Sequence, residues 1–371
     1  MTWRHSDTLG AAKSSPEPMK PKRLALVGVG PMAALHAQAI AEVDGLQIDV
    51  CMSRDPERAA DFAARHGLPR SLPLSDLAEA PDVDGFWIVA PAEAMASVAT
   101  TFAGYGLPMF LEKPVGLSLE ETRGVRQAIA TPTMVGLNRR FYEVIQRGLA
   151  LVEAAGGVRA VEVHMPEDLA GAASANSAAV KAAWPFANSV HLIDLFRLFG
   201  GEPASVTTRN QVISVEDRAF AGMIEFEHGA GGLFSAQWYA PGGWRVSVYA
   251  KDLTLQFQPI EQLTIIRRPR AQEVITASGR DARLKPGLFG QAQAFRDLLN
   301  TGRLEKPGAD LADYERTVAL VKALTAPNLR GSDRPLPPPH GAGESPVSAP
   351  SSPTIGARHR AQGSGRRIPR R

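Results

Sequence analysis

Short apolar runs alternate with helical patterns over roughly the first 140 positions of the chain. Five runs read as strands because they are apolar, short and bounded by turn residues: RLALVGVG, LQIDVCMS, VDGFWIVAP, LPMFLEKP and TPTMVGLN. The segments between them, such as PMAALHAQAIAEV and SLEETRGVRQAIA, have helical spacing. Strands alternating with helices of about 10–15 residues predict right-handed βαβ units and a parallel, doubly wound Rossmann sheet.

Beyond this region the pattern changes to longer segments in which apolar and polar residues alternate, as in half-exposed antiparallel strands. These segments are RAVEVHM, ASVTTRNQVIS, AFAGMIEFEH, GAGGLFSAQWYA, RVSVYAKDLTLQFQ and QLTIIRRP. Helical patterns interrupt them at FYEVIQRGLALVEAAG, HLIDLFRLFG and LFGQAQAFRDLLNTG. The pattern predicts a C-terminal α+β domain built on an open, mostly antiparallel sheet.

The chain is therefore expected to have an α/β fold with four regions. They are a disordered leader (1–21), a Rossmann domain (22–140), an α+β domain (141–326), and a disordered tail (327–371) rich in Pro, Ser and Arg. We also expect that the last helix can pack back on the Rossmann domain.

Composition narrows the class of protein. The single cysteine, Cys51, excludes a disulfide framework within the chain and favours a reducing cytoplasm. No apolar segment has the length of a signal peptide or a membrane span. The tail carries eight Arg against two acidic residues, so the excess positive charge of the chain lies outside the predicted domains. The sequence shows no nucleic-acid motif and no His, Asp or Glu cluster with metal-ligand spacing.

A glycine turn follows the first strand and precedes the first helix. The pattern is Gly28-x-Gly30-x-x-Ala33, with Pro31 and Met32 between the last two positions. Glycines allow a tight turn and a close approach of the backbone to a pyrophosphate, which is stabilised by the N-terminus of the helix. The turn predicts a dinucleotide site.

The end of the second strand indicates which dinucleotide is preferred. An NAD enzyme usually has an acidic residue there for the ribose 2′-hydroxyl, but this chain has Ser53 followed by Arg54. A serine and an arginine suit a 2′-phosphate, which predicts that NADP(H) is preferred and NAD(H) is possible. Asp55 is expected to cap the next helix before Pro56, and Gly67 to end it.

Several motifs in order resemble the Gfo/Idh/MocA family, which includes glucose–fructose oxidoreductase and inositol dehydrogenase. The motifs are GVGPMAALHA, SRDPERA, WIVAPAEAM, FLEKPVG, VGLNRRF, NSVHLIDLFRLFGG and FGQAQAFRDLLNTG, and they cover about residues 22–326. The resemblance implies an oxidoreductase acting on a sugar-like or cyclic polyol or ketone, and a homodimer or homotetramer formed through the C-terminal sheet. It also implies a cofactor site that includes Ala90, Pro91, Glu112 and Lys113.

The resemblance implies two catalytic residues. Lys113, at a strand end before Pro114, would move the substrate proton, because burial and a charged nicotinamide both favour a neutral amine. His191 stands at the histidine position of the family, but the aspartate expected four residues earlier is Ala187. Asn188 or Asp194 could orient His191 instead, and His191 could also serve only to pack the helix.

The expected substrate contacts are Arg140, Trp184, Asn188 and Asp194. An arginine in GLNRRFY, Arg139 or Arg140, could hold an anionic or polyhydroxy substrate or equally form an interdomain salt bridge. The Ala/Ser-rich segment 166–184 could act as a lid on the substrate site.

Two alternatives to a simple dehydrogenase remain at this point. Some relatives cleave glycosidic bonds by transient oxidation with no net change of the cofactor. A dinucleotide-binding fold can also serve a non-catalytic sensor, and the missing aspartate favours that possibility.

Overall fold

Six parallel strands form the first sheet of this computed structural model, which describes residues 20–79, 82–269 and 271–327. The strands are β1 (Lys22–Val27), β2 (Leu46–Ser53), β3 (Arg70–Pro73), β4 (Gly85–Ile88), β5 (Met109–Leu111) and β6 (Thr133–Val135). The helices between them are α1 (Pro31–Ala41), α2 (Pro56–His66), α3 (Ala92–Ala103) and α4 (Leu119–Ala128). The doubly wound sheet is confirmed.

The strand order is β3-β2-β1-β4-β5-β6. The chain adds strands on one side of β1 up to β3 and then on the other side from β4, so the order reverses between β1 and β4 although the strands stay parallel. In open α/β sheets, a ligand crevice lies outside the carboxyl ends of the strands at such a reversal. The glycine turn follows β1, Ser53 ends β2 and Glu112 follows β5, so they meet at this edge.

Local signals set the limits of α2 as predicted. The Asp55 carboxylate accepts from the backbone N–H groups of Glu57 and Arg58, and Pro56 is the first helical residue. Gly67 ends the helix with a left-handed φ of 63°. The strand after it, β3, was missed because its four residues are all only partly buried and show no apolar run.

The second sheet contains nine strands in mixed orientation. They are β7 (Val158–Pro166), β8 (Pro203–Thr208), β9 (Gln211–Val212), β10 (Arg218–Phe226), β11 (Gly231–Gln237), β12 (Arg245–Ala250), β13 (Leu253–Phe257), β14 (Gln262–Arg267) and β15 (Ala271–Thr276). Their order is β15-β14-β13-β12-β7-β11-β10-β8, with β9 paired to β10. Among the described strand pairs of this second sheet, only β7–β11 is parallel, so the prediction of a mostly antiparallel sheet is confirmed.

The helices associated with the second sheet complete the fold. They are α5 (Glu143–Ala154), α6 (Leu169–Ala172), α7 (Ala178–Ala182), α8 (Val190–Gly200), α9 (Gly279–Arg283), α10 (Leu288–Thr301) and α11 (Leu311–Thr325). Helix α8 lies on the apolar face of β7 and β11, where buried side chains such as Phe196 and Phe234 pack together. No helix in the described ranges is both long and apolar enough to cross a bilayer.

The second half differs from the sequence prediction at several elements. The run RVSVYAKDLTLQFQ is a hairpin rather than one strand, because Asp252 adopts a left-handed φ of 57° between β12 and β13. The edge strand β15 was missed because most of its residues are exposed and show no apolar face. Helix α11 was also missed, although Asp310 caps it.

The last two helices pack on elements of both sheets. In α10, Ala292, Phe295 and Leu298 pack into the same buried cluster as Trp87 and Phe110 of the first sheet. Helix α11 packs against both α4 and α8. The C-terminal helices therefore tie the two sheets together, and the predicted 141–326 segment contributes to both cores. The leader and tail predictions fall almost entirely on 1–19 and 328–371, outside the described residues.

Candidate functional site

A cleft of about 1220 Å³ opens at the carboxyl ends of β1, β2, β4 and β5 and extends to the start of α8. All ten residues predicted to bind the cofactor line it: Gly28, Gly30, Pro31, Met32, Ser53, Arg54, Ala90, Pro91, Glu112 and Lys113. His191, Trp184 and Asn188 line its other end. The fold therefore brings these predicted residues together in one elongated cleft.

The glycine turn fits a dinucleotide. Gly28 has a φ of 103°, and a Cβ there would lie 2.2 Å from the Val89 carbonyl oxygen. A Cβ on Gly30 would meet nothing within 4 Å, so this backbone faces open space in the cleft. Gly30 precedes α1 without any side-chain cap, which leaves the helix N-terminus free for a phosphate.

The end of the cleft next to β2 is basic. Ser53, Arg54 and Arg58 line it, and Arg58 was missed because it lies one helical turn beyond the strand end. The Ser53 hydroxyl oxygen accepts from the Asp55 N–H at 3.2 Å, so its own proton remains available for donation. The Asp55 carboxylate is engaged in capping α2. These side chains could hold a 2′-phosphate.

Glu112 has a buried partner that the sequence did not indicate. Its Oε2 lies 3.2 Å from Nε2 of His36, a fully buried residue of α1. The His36 ring makes edge contacts with Trp87 and Phe110. This bond offsets the cost of desolvating a carboxylate at the end of β5.

Lys113 projects from the end of β5 across the cleft. Its Nζ donates a hydrogen bond of 3.0 Å to the backbone carbonyl oxygen of Ala187. Burial lowers the pKa of Lys113 to about 8; the charges of Arg139 and Lys285 act in the same direction, while Glu112 opposes them. About a tenth of the amine is therefore neutral at pH 7, and about half at pH 8.

Ala187 belongs to one turn of π-helix, Pro185–Ser189, which runs directly into α8. Turns of this kind interrupt regular helical bonding and are frequent at functional sites. His191 follows in the first turn of α8 and is 5% exposed, and its Nδ1 is buried without a hydrogen-bond partner among the described residues. Burial, followed by the charges of Arg139, Lys113 and Lys285, holds its pKa well below the usual value, so the ring is neutral.

Asn188 does not orient His191, because it bonds to a different residue. Its Nδ2 donates to Oε1 of Glu167 at 3.1 Å, and Nε1 of Trp184 donates to Oε2 of the same carboxylate at 2.9 Å. Burial raises the pKa of Glu167, although these two bonds and Arg139 oppose the shift. Glu167 was missed because only the fold brings the end of β7 behind the α8 entry.

The expected substrate role of Arg140 and Asp194 is corrected by the geometry. Arg140 donates from Nε and Nη2 to both oxygens of Asp194, at 2.7 and 2.6 Å, and from Nη1 to Asp313 at 2.6 Å. Thr317 also donates to Asp194, which is 1% exposed and points away from the cleft lining. The structure therefore has the interdomain salt bridge. Burial disfavours the charge on Arg140, but the two carboxylates outweigh it and raise the pKa of Arg140.

Arg139, the neighbouring residue, lines the cleft instead. Its guanidinium lies 5.2 Å from the ring centroid of Trp244, and its Nε is buried without a hydrogen-bond partner in the described part of the chain. Lys285, which precedes α10, also lines this end.

The segment proposed as a lid contains α6 and α7. Asn176 and Val180 line the cleft, and the Ser177 hydroxyl donates to Glu93 of α3 at 2.5 Å. This bond connects the segment to the first domain across the cleft mouth.

Comparison with known proteins agrees with this arrangement. A family model described as an oxidoreductase family with an NAD-binding Rossmann fold, GFO_IDH_MocA, matches residues 22–135. Over these residues the chain is similar to the Gfo/Idh/MocA oxidoreductases. The rhizopine catabolism protein MocA of Rhizobium meliloti is 32% identical over 123 residues, which cover 32% of this chain and 38% of that protein.

Two further comparisons extend over the second domain. The scyllo-inositol 2-dehydrogenase (NAD(+)) of Bacillus subtilis is 26% identical over 346 residues, covering 85% of this chain and 95% of that enzyme. The solved structure of levoglucosan dehydrogenase with NADH and levoglucosan has a TM-score of 0.69 at 18% identity, covering 82% and 96% of the two chains. The match to MocA spans well under half of that protein, and the family model matches the NAD-binding Rossmann part of this chain, residues 22–135.

Proposed function

We propose that this Gfo/Idh/MocA protein is an NADP(H)-preferring oxidoreductase that transfers hydride to or from a carbinol carbon. The substrate is a sugar-like or cyclic polyol, or the corresponding ketone. One observation carries the proposal: a buried lysine with a pKa near 8, Lys113, shares a cleft with an uncapped glycine turn.

The chain's own side chains account for the proton. When bound, a nicotinamide dinucleotide supplies or accepts the hydride. In the direction of alcohol oxidation, the neutral Lys113 amine takes the hydroxyl proton as the carbon–hydrogen bond breaks. The Ala187 carbonyl oxygen holds the Lys113 amine in place. The neutral His191 ring can donate a hydrogen bond to the substrate oxygen or accept one from the substrate hydroxyl.

The preference for NADP(H) is supported by the residues after β2. Ser53, Arg54 and Arg58 line the cleft there, and the nearby carboxylate, Asp55, is occupied by the cap of α2. A 2′-phosphate would find two guanidinium groups there, while two backbone N–H groups partly compensate the charge of the Asp55 carboxylate.

We also propose that a second copy of the chain covers the open face of the second sheet. Met223 and Leu233 lie opposite each other in the β10–β11 pair and are 64% and 49% exposed. Covering this pair with another copy would remove two large apolar side chains from water.

The test compares wild type with Lys113→Met. Binding of NADPH is followed by nucleotide fluorescence, and turnover of a panel of polyols and sugars by the reduced-nicotinamide absorbance. We expect Lys113→Met to bind NADPH but to lose about 10²–10⁴-fold in kcat. Lys251→Met, on the exposed β12–β13 turn, is the matched control.

Three other outcomes would contradict the proposal. Unchanged turnover in Lys113→Met would remove the lysine from the chemistry. NADPH binding without turnover of any compound would favour the sensor suggested by Ala187. Cleavage of a glycoside with no net change in absorbance would indicate transient oxidation.

A further inference from the structure

The substrate end of the cleft carries positive charge that nothing in the described ranges neutralises. Three basic side chains line it: Lys113, Arg139 and Lys285. None has a carboxylate at ion-pair distance among the described residues, although Glu112, Glu167 and Glu261 act on Arg139 from farther away. Glu112 bonds to His36, and Glu167 bonds to Trp184 and Asn188.

Arg139 is the strongest sign that a ligand belongs there. Its side chain is only partly exposed, and its buried Nε has no hydrogen-bond partner in the described part of the chain. Burying a guanidinium is costly unless an anion pairs with it, and contact with the Trp244 ring offsets only part of that cost. Its neighbour Arg140 shows the contrast, since two carboxylates neutralise it.

The position of Lys285 beside Arg139 is fixed by the loop before α10. The Asn138 side chain donates to the Pro286 carbonyl oxygen at 3.1 Å. Gly287 approaches the Asn138 backbone so closely that a Cβ there would lie 2.1 Å from its carbonyl oxygen. Asn138 therefore contacts Pro286 and Gly287 closely, and its neighbour Arg139 is held near Lys285, the neighbour of Pro286. Both basic side chains line the cleft.

The dinucleotide does not account for this charge. The glycine turn serves its pyrophosphate, and Ser53, Arg54 and Arg58 lie at the opposite end, next to β2. We propose, as a deepening of the proposed function, that the substrate carries an oxyanion, a carboxylate or a phosphate, which Arg139 binds with Lys285 while Lys113 takes the proton of a nearby hydroxyl. A planar guanidinium bonds both kinds of oxyanion in two-pronged fashion.

The test measures binding to the full-length protein saturated with NADPH, by calorimetry. Matched probes differ only in the anion: gluconate against glucitol, galactonate against galactitol, and glucitol 6-phosphate as the phosphate arm. The acids should bind at least about tenfold more tightly than their alcohols, and Arg139→Gln should reduce acid affinity by about 10- to 100-fold. The affinity of the alcohols should change little. Which arm binds more tightly distinguishes a carboxylate from a phosphate.

Two variants make the result specific. Lys285→Gln should weaken acid binding in the same selective way, because its removal leaves the fold-determining contact of Asn138 intact. Arg303→Gln, whose side chain is 82% exposed outside the cleft, should change nothing. A panel in which no acid binds better than its alcohol overturns the anion site, as does an Arg139→Gln variant that weakens acid and alcohol equally. Failure of NADPH to bind would instead contradict the proposed function itself.

Discussion

The Nζ of Lys113 donates its hydrogen bond to the backbone carbonyl oxygen of Ala187, at 3.0 Å. The lysine comes from a strand of the first sheet and the acceptor from the π-helical turn before α8. A neutral backbone group therefore holds the amine at position 187. An acidic side chain at that position would raise the pKa of Lys113. This arrangement leaves burial as the main influence on the lysine.

The first prediction concerns pH. Burial lowers the pKa of Lys113 to about 8, and alcohol oxidation requires the unprotonated amine. Below that pH the protonated fraction grows, so kcat/KM for oxidation should fall by about tenfold per pH unit, and above it the profile should level off. Steady-state rates from pH 6 to about pH 10 would measure this falling part of the pH profile, its acid limb. A profile that is flat across that range would contradict the assignment.

Restoring an acid at position 187 should change this profile. A carboxylate in Ala187→Asp would lie beside Lys113 and one helical turn before His191, and a negative charge raises the pKa of both groups. We expect the limb to move up by about one pH unit. Ala187→Asn is the matched neutral variant and should leave the limb in place; equal profiles for the two variants would exclude the electrostatic explanation.

Cofactor choice can be tested at the β2 end of the cleft. Arg54→Gln should lower the affinity for NADP(H) by about tenfold, because one charge-assisted contact to the 2′-phosphate is lost. The affinity for NAD(H), which lacks that phosphate, should change little. Arg65→Gln, on the same helix as Arg58 but outside the cleft lining, is the control. Parallel losses for both cofactors would show that Arg54 does not read the phosphate.

The buried network around Arg140 should be important for stability. Asp194→Asn removes a charge that pairs with both prongs of Arg140, which leaves a buried guanidinium only partly compensated. Breaking such a pair typically lowers the free energy of unfolding by about 3–5 kcal/mol. Urea denaturation would measure it, with Asp297→Asn, from an exposed pair with Arg296, as the control. Similar small losses in the two variants would argue against a structural role.

The last prediction concerns assembly. Met223→Glu places a charge on the exposed face of the second sheet, opposite Leu233. If a second copy covers that face, the variant should be smaller than the wild type by light scattering after size-exclusion chromatography. Tyr105→Glu alters another large exposed side chain, on the first domain, and should not change the mass. A monomeric wild type would reject the proposal.

Comparison of sequence and structure shows where prediction succeeded. Strands, helices and the glycine turn of the first domain depend on short-range signals such as the Asp55 cap and the left-handed Gly67. Predictions failed where the pattern of apolar residues was weak, as at β3 and β15. They also failed where either of two adjacent arginines could have lined the cleft. Nothing in GLNRRFY indicates that Arg139 faces the cleft while Arg140 turns to Asp194.

The sequence by itself determined the dinucleotide-binding architecture, because each βα unit records its own strand, turn and helix within about 30 residues. It also determined the place of Lys113, since the carboxyl ends of parallel strands meet at one edge. The tertiary structure alone decided the partners: Ala187 for Lys113, His36 for Glu112, Glu167 for Trp184, and Asp194 for Arg140. These contacts join distant segments, and a side chain on a short turn takes its direction from the helices packed around it.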